Sequence, residues 1–337
     1  MIKKVLVVGS GPSAFGSLLS LNKNRNLDVT LIDNSNLDDF EHEQRSCIFN
    51  TKFLKGTRVS LEANVYQPNE YFNNSEINSS KAFGGFSNVW GGTFSSIDEK
   101  SLKAWNDLNI DIKKYLEEIK LIIPKKTYKS GTEIDISDVP SENIKRLIKT
   151  INSEEYPNTL AEHSSIAINN FVKNEFLNKE NCNNCGQPRW TCNLNTIWSS
   201  KYEIKKFINE KKINYLESTK LISLKETDNK VICNLEEKNQ NKTYEFDKVF
   251  IGAGVLNTST IMINSGIVDQ ALIKISEMIN LPIFMLFKNK VKLDSFSDLF
   301  IHHSFNKKTY FMQFYFYSKT LAKFAERSFS FSKLLKI

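Results

Sequence analysis

Met1-Ile2-Lys3-Lys4 gives way to a continuous apolar run, Val5-Leu6-Val7-Val8, which ends in Gly9-Ser10-Gly11-Pro12-Ser13. A short run without alternation predicts a strand buried on both faces, as in a parallel sheet. Ala14, Leu18, Leu19 and Leu21 then suggest a helix to about Lys23, and Asn24 to Asn26 form a turn. Val29-Thr30-Leu31-Ile32 predicts a second strand ending at Asp33, which completes a β-α-β unit in about thirty residues. Residues 34–80 are polar and irregular, longer than an ordinary connection, which points to a functional loop or one that wraps a ligand. Leu102 to Ile123 predicts a helix closed by Pro124, and Ile197 to Lys212 predicts another. Residues 125–180 carry mixed signals. The runs Ile213–Leu216, Lys220–Lys225, Val231–Leu235 and Tyr244–Phe246 alternate and predict a meander, with turns at Asp228-Asn229 and Asn239–Asn241. Val249-Phe250-Ile251 is a further buried-strand run ending in Gly252-Ala253-Gly254; a helix follows over Thr258–Asn264, and alternation returns around Tyr310–Tyr317.

Composition narrows the class. The 337 residues are 40% hydrophobic and 25% charged, the balance of a globular chain of about two domains. With 13 Gly, 7 Pro and 5 Cys, collagen-like and disulfide-framework classes are excluded. The longest apolar stretch, Met278 to Phe287, is about half of a membrane-spanning helix, so no transmembrane segment is expected. The apolar run after Lys3-Lys4 is too short for a secretory core, and a cytoplasmic location is expected. The net charge of +7 resides wholly in 271–337, which has 11 Lys or Arg against 4 Asp or Glu. That excess would attract an anionic substrate or surface, but the Lys- and Asn-rich bias of the whole chain accounts for it more simply. The same segment holds 14 Phe or Tyr. Basic aromatic segments can stack on single-stranded nucleic acid; here packing in a core or substrate sheet is favoured, and no nucleic-acid partner is expected.

Candidate chemistry begins with Gly9-x-Gly11-x-x-Ala14, between a predicted strand and a predicted helix. Gly9 permits the tight turn, Gly11 lets a pyrophosphate approach the backbone, and Ala14 lets helix and strand pack closely. The helix N-terminus, with Pro12 and Ser13, offers N–H groups to phosphates. Asp33, 24 residues past Gly9, stands where a carboxylate accepts hydrogen bonds from a ribose diol. The late strand ending in Gly252-Ala253-Gly254, placed after a meander, favours FAD over NAD, because it is the second signature of two-dinucleotide-binding flavoproteins. A plain NAD dehydrogenase is the lesser alternative.

Three segments carry a family resemblance: Gly9–Ala14, Gly84-Gly85-Phe86-Ser87-Asn88-Val89-Trp90-Gly91-Gly92, and Gly252–Gly266. In this order they resemble the glucose-methanol-choline (GMC) oxidoreductases, over residues 1–270. The resemblance implies an FAD enzyme that oxidises an alcohol, often a sugar hydroxyl, by removing the hydroxyl proton while hydride passes to the flavin. It places Gly84, Gly85, Ser87, Asn88, Gly91 and Gly92 in the loop against the flavin, and Gly252, Ala253 and Gly254 on the second cofactor strand. Thr258 falls where the following helix begins and could cap it. The expected fold is α/β: a Rossmann-like parallel FAD-binding sheet with a discontinuous, incomplete α+β substrate domain. The FAD domain is expected from 1–100 with 200–270, the second domain from 101–199 with 271–337.

The chain departs from the family at its C-terminus, where the family's catalytic His and much of its substrate sheet would follow. A truncated, inactive flavin-binding remnant, or a subunit completed by a C-terminal complementing chain, is therefore the alternative to a complete enzyme. His302 and His303 are the substitutes for the base, since imidazole titrates near neutrality; as strand neighbours, one faces inward and one outward. Cys182-x2-Cys185-x2-Pro188-x3-Cys192 has a ferredoxin-like spacing. Zinc, with Cys233 or His163 as a fourth ligand, an iron–sulfur cluster, and no metal at all stay open, the last being favoured. Cys47 reads as structural, and neither it nor His42 lies in a recognisable flavin-linkage context.

Overall fold

The computed structural model describes residues 2–35, 80, 82–88, 90–94, 99–123, 125–126, 142–163, 165–167, 197–268, 299–306 and 308–313. In chain order the elements are β1 Lys3–Val8, α1 Pro12–Leu21, β2 Leu27–Ile32, β3 Thr93–Phe94, α2 Glu99–Asp107, α3 Ile112–Ile122, β4 Lys125–Lys126, α4 Glu142–Ile151, β5 Thr159–His163 and β6 Ser165–Ala167. They continue with α5 Ser200–Asn209, β7 Asn214–Leu216, β8 Thr219–Glu226, β9 Val231–Glu237, β10 Gln240–Phe246, β11 Lys248–Ile251, α6 Val255–Asn264, β12 Leu299–Phe305 and β13 Lys308–Gln313. The chain divides into two compact units, 1–88 with 199–286 and 89–198 with 287–337.

The first unit is a Rossmann-like α/β body. Its parallel sheet has the order β11-β1-β2-β7. Val5, Leu6, Val7 and Val8 are all buried, the signature of a strand covered on both faces. Leu6 and Val8 join Ile32, Leu221, Cys233, Leu235, Phe246 and Ile261 in one apolar cluster. This cluster joins the parallel sheet to the antiparallel sheet β10-β9-β8 and to α6. By strand alternation Val5 and Val7 point the other way, and α1 lies against β1 and β11. The predicted meander is thus β8–β10 alone. The short run at Ile213–Leu216 forms β7, which pairs in parallel with β2 and belongs to the main sheet. Period-2 alternation cannot tell these two destinations apart.

Small residues set the closest approach in this unit. Gly9 has φ +94°, and a Cβ there would lie 2.5 Å from the Gly252 carbonyl oxygen. A Cβ on Gly252 would lie 2.8 Å from the Ala14 nitrogen and 3.1 Å from the Ala14 Cβ. The backbone is stitched across the same place: Gly9 N–H donates to Ile32 O and Gly252 N–H donates to Val8 O, both at 2.8 Å.

The second unit holds two small antiparallel sheets, β13-β12-β5 and β3-β6-β4. Ile148 and Ile151 of α4 pack on Ala161, Leu299 and Ile301. Asn152 closes the edge of β5 with a paired bond to Ala161: Nδ2 donates to its carbonyl at 2.9 Å and Oδ1 accepts its N–H at 2.6 Å. The single helix predicted over Leu102–Ile123 is two. Asn109 takes a left-handed φ of +57°, and Asp111 caps α3 by accepting the Lys114 N–H at 3.4 Å. Among the described residues no helix is long and apolar enough to cross a membrane.

Gly252→Ala is expected to destabilise the protein by about 1–3 kcal/mol through overpacking against Ala14. A urea titration reads this as a lower midpoint; an unchanged midpoint would show that the approach relaxes without cost.

Candidate dinucleotide-binding site

The site is built on the end of β1. Gly11 is the N-cap of α1, makes no side-chain cap bond, and is followed by Pro12 at the first helical position. The first helical bond is Phe15 N–H to Gly11 O at 3.0 Å. The N–H groups of Ser13 and Ala14 precede that ladder and have no helical acceptor, and they carry the positive end of the helix dipole. Pro12 and Ser13 are exposed, Ala14 fully buried. Unlike Gly9, Gly11 has ordinary extended backbone, φ −70° and ψ 179°, and a Cβ there would meet no atom of the described residues within 4 Å.

Asp33 stands just past β2 and is half-buried. Its carboxylate Oδ1 accepts the Ser35 N–H at 2.8 Å and the Ser35 hydroxyl in a very short contact. Burial of the carboxyl raises its pKa above the ordinary carboxylate value, and hydrogen bonds from Ser35 and Ser10 oppose that rise. The same side of the site carries Tyr215, whose hydroxyl donates to Ser35 O at 3.1 Å. Burial and the Asp33 charge both push that phenol upward.

The glycine loop lies beside the turn. Gly84 N–H donates to Ser10 Oγ at 2.8 Å. Gly84 has φ +94°, and a Cβ there would fall 2.8 Å from Lys201 Cβ; a Cβ on Gly85, at φ +56°, would fall 3.7 Å from Gly11 Cα. Residues 85–88 form a single 3-10 turn. Ser87 Oγ donates to Gly84 O at 2.6 Å and lies 3.0 Å from both Ser199 Oγ and Ser200 Oγ. Ser200 Oγ donates to Ser10 O at 2.8 Å. Ser10, Ser87, Ser199 and Ser200 are all buried.

The structure therefore gathers Gly9, Gly11, Ala14, Asp33, Gly84, Gly85, Ser87, Asn88 and Gly252 into one neighbourhood of the first unit. Gly254 is the N-cap of α6 with φ +79°, next to the half-buried Ala253. Thr258 does not cap this helix. It sits inside the first turn and donates its N–H to Gly254 O at 2.9 Å. Gly91 and Gly92 belong to the second unit. There Gly92, at φ +68°, packs against Ile197 and accepts the Ala167 N–H at 2.5 Å. The neighbouring Trp90 Nε1 donates to Trp198 O at 2.8 Å.

His302 and His303 are also in the second unit, on β12. His302 is buried, its Nε2 2.9 Å from Glu162 Oε1, with its ring centroid 4.5 Å from that of Phe311. His303 is half-buried, its Nδ1 2.8 Å from Thr159 Oγ1. Cys182, Cys185, Cys192, Cys47 and His42 lie outside the described residues, as does the side chain of His163. Cys233 belongs to the apolar cluster of the first unit, and burial pushes its thiol up to about 11. Among the described residues no group of His, Cys, Asp and Glu has the arrangement of a metal site.

Sequence reasoning passed over Ser10, Ser199 and Ser200. Ser10 occupies a free position of the glycine fingerprint. Ser199-Ser200 before an amphipathic run was a legible helix start, but its pairing with Ser87 depends on the fold.

No protein-family model matches the sequence, and no curated protein does. Among solved structures, the chain is similar to pyridoxine 4-oxidase from Mesorbium loti, with 13% identity and a TM-score of 0.48 over 78% of this chain and 52% of that one. It is similar to a formate oxidase from Aspergillus oryzae RIB40, with 14% identity and a TM-score of 0.46 over 78% and 47%. It is also similar to an FAD-dependent oxidoreductase from Chaetomium thermophilum, with 13% identity and a TM-score of 0.43 over 79% and 48%. The chain spans about half the length of these structures.

Because the folded state raises the Asp33 pKa, ionising this carboxyl costs stability once the pH is above its folded value, and costs none below the ordinary carboxylate range. Asp33→Asn keeps the Oδ1 acceptor and removes the charge. It is expected to raise the melting temperature at neutral pH, with the gain vanishing in acid, where wild-type Asp33 is itself protonated. Thermal melts of both proteins across pH check this, and a pH-independent difference would contradict it.

Proposed function

We propose that the chain binds FAD and acts in a flavin oxidoreductase of the GMC type, taking an alcohol or sugar hydroxyl as substrate. The observation that carries the reading is the contrast between the glycines. Gly9 and Gly252 are small because the chain itself leaves no room for a Cβ. Gly11 has no such reason among the described residues: its backbone is ordinary and its Cβ would meet none of their atoms within 4 Å. A position bare of side chain, beside an uncapped helix N-terminus and facing a second glycine loop, is what the close approach of a pyrophosphate requires. The motif order noted in the sequence supports FAD over NAD.

The residues present fit that cofactor. Ser13 and Ala14 N–H groups would hold the pyrophosphate, Asp33 the adenosine ribose, and the turn at Gly84 and Gly85 would lie along the flavin end. FAD, when bound, supplies the acceptor for the hydride. The protein's own part is to exclude side chains from the cofactor's path and to keep Asp33 able to accept the ribose hydrogen bonds through Ser10 and Ser35. Removal of the substrate's hydroxyl proton needs a base, for which His302 and His303 are the candidates.

Purified protein is expected to show a two-banded flavin absorption that survives desalting, and anaerobic addition of an alcohol and sugar panel to bleach it. A stable flavin spectrum that no panel member bleaches would favour the binding-only remnant or a split enzyme that needs its complementing chain. A folded protein that takes up no FAD would overturn the reading. Gly11→Ala is expected to change stability by no more than about 1 kcal/mol, since the residue is compatible with the native backbone. It is expected to lose flavin retention at least tenfold by fluorescence titration, as the new methyl enters the pyrophosphate path at an effect of roughly that size.

A further inference from the structure

Two polar residues of the glycine loop, Ser87 and Asn88, are natural candidates for direct flavin contacts. The structure commits their hydrogen-bonding capacity elsewhere. Asn88 Nδ2 donates to Phe83 O and to Gly85 O, both at 2.9 Å, so both amide protons have acceptors within the loop. Its Oδ1 accepts the Ser199 hydroxyl at 3.0 Å. Ser87 is buried, and its proton goes to Gly84 O at 2.6 Å while its oxygen accepts the Ser200 N–H at 3.1 Å.

The hydroxyl protons of Ser87, Ser199 and Ser200 each have an acceptor, Ser200 having the Gly84 carbonyl at 3.3 Å as a second one. Each serine has one proton to give. Ser87 gives it to Gly84 O, Ser199 to Asn88 Oδ1 and Ser200 to Ser10 O. Ser10 accepts the Gly84 N–H and stabilises the ionised form of Asp33. The set links the loop, the start of α5 and the turn after β1. These segments lie 74 to 190 residues apart in sequence. A buried network with every member satisfied is rigid and specific in geometry.

We infer that Asn88 and Ser87 are positioning residues rather than flavin contacts, and that Ser199, at the start of α5, is the third member of the lock that holds the Gly84–Asn88 turn in place for the flavin. The inference rests on the FAD reading above and assigns a role to α5 that the cofactor motifs do not contain. In this arrangement the loop meets the flavin with backbone and glycine, and the side chains act on the loop from behind.

The test separates the two halves of the cofactor. ADP reaches the turn and Asp33 but carries no flavin. Ser199→Ala and Asn88→Ala are each expected to weaken FAD binding about tenfold, the size of one lost hydrogen bond, and to leave ADP binding within about twofold. The visible circular dichroism of bound flavin is expected to change alike in both variants. The double variant is expected to lose no more than the larger single loss, because Ser199 acts through Asn88. Ser87→Ala removes the lock from the loop side and is expected to give the same FAD-against-ADP split; retained ADP binding certifies that each variant is folded. If Asn88 touches the flavin directly, Asn88→Ala weakens FAD while Ser199→Ala does not, and the inference is overturned. Equal losses of FAD and ADP, or additive losses in the double variant, overturn it as well while leaving the FAD reading intact. A wild-type protein that binds ADP but not FAD overturns both.

Discussion

The approach of Gly9, Ala14 and Gly252 is the constraint on which the first unit depends. Here β1, α1 and the end of β11 come so close that a Cβ on Gly9 or Gly252 has no room and Ala14 can carry nothing larger than its methyl. The turn after β1 can be tight only because Gly9 accepts a positive φ. α1 can begin at once only because Ala14 and Gly252 let it settle against β11. From that contact follow the direction of α1, the placing of its uncapped N-terminus, and the free face of Gly11. The candidate site is thus a by-product of backbone packing, and its chemistry comes from what the packing leaves unfilled.

Charge and polarity enter in a second layer. Asp33 is held in surroundings that disfavour its ionised form, and the hydrogen bonds from Ser10 and Ser35 offset part of that cost. Ser10 is where the two halves of the site meet. Its hydroxyl takes the Gly84 N–H, its carbonyl takes the Ser200 hydroxyl, and it also supports the Asp33 carboxylate. A carboxylate at one end of the site and a glycine loop at the other are thereby tied through one buried residue.

Much of the first unit was legible in the residues. Val5–Val8 read as a doubly buried strand because nothing in it alternates, and it is one. Asp33 read as the end of the second strand, and it stands one residue past β2. The mistakes share a cause. Ile213–Leu216 looked like a member of the meander, and Leu102–Ile123 looked like one helix. In each case local pattern gave the element type but not its partner or its break. The break at Asn109 rests on one left-handed residue and one capping carboxylate, Asp111, weak signals inside an otherwise helical pattern. The serine lock was illegible for a stronger reason: its members are ordinary polar residues, and only their meeting makes them unusual.

By itself the sequence determined the positions that must be small, the strand that must be buried and the carboxylate that follows β2. These follow from local backbone sterics and from hydrophobic patterning, which act over a few residues. The tertiary structure alone decided which glycine is small for the chain's own sake and which is not. It also decided that β7 joins the parallel sheet, that Asn88 donates its amide protons inside its own loop, and that Ser199 and Ser200 hydrogen-bond to Asn88 and Ser10. Those outcomes depend on contacts between segments as much as 190 residues apart. Such contacts exist only once burial has brought the segments together and left each polar group to find its partner there.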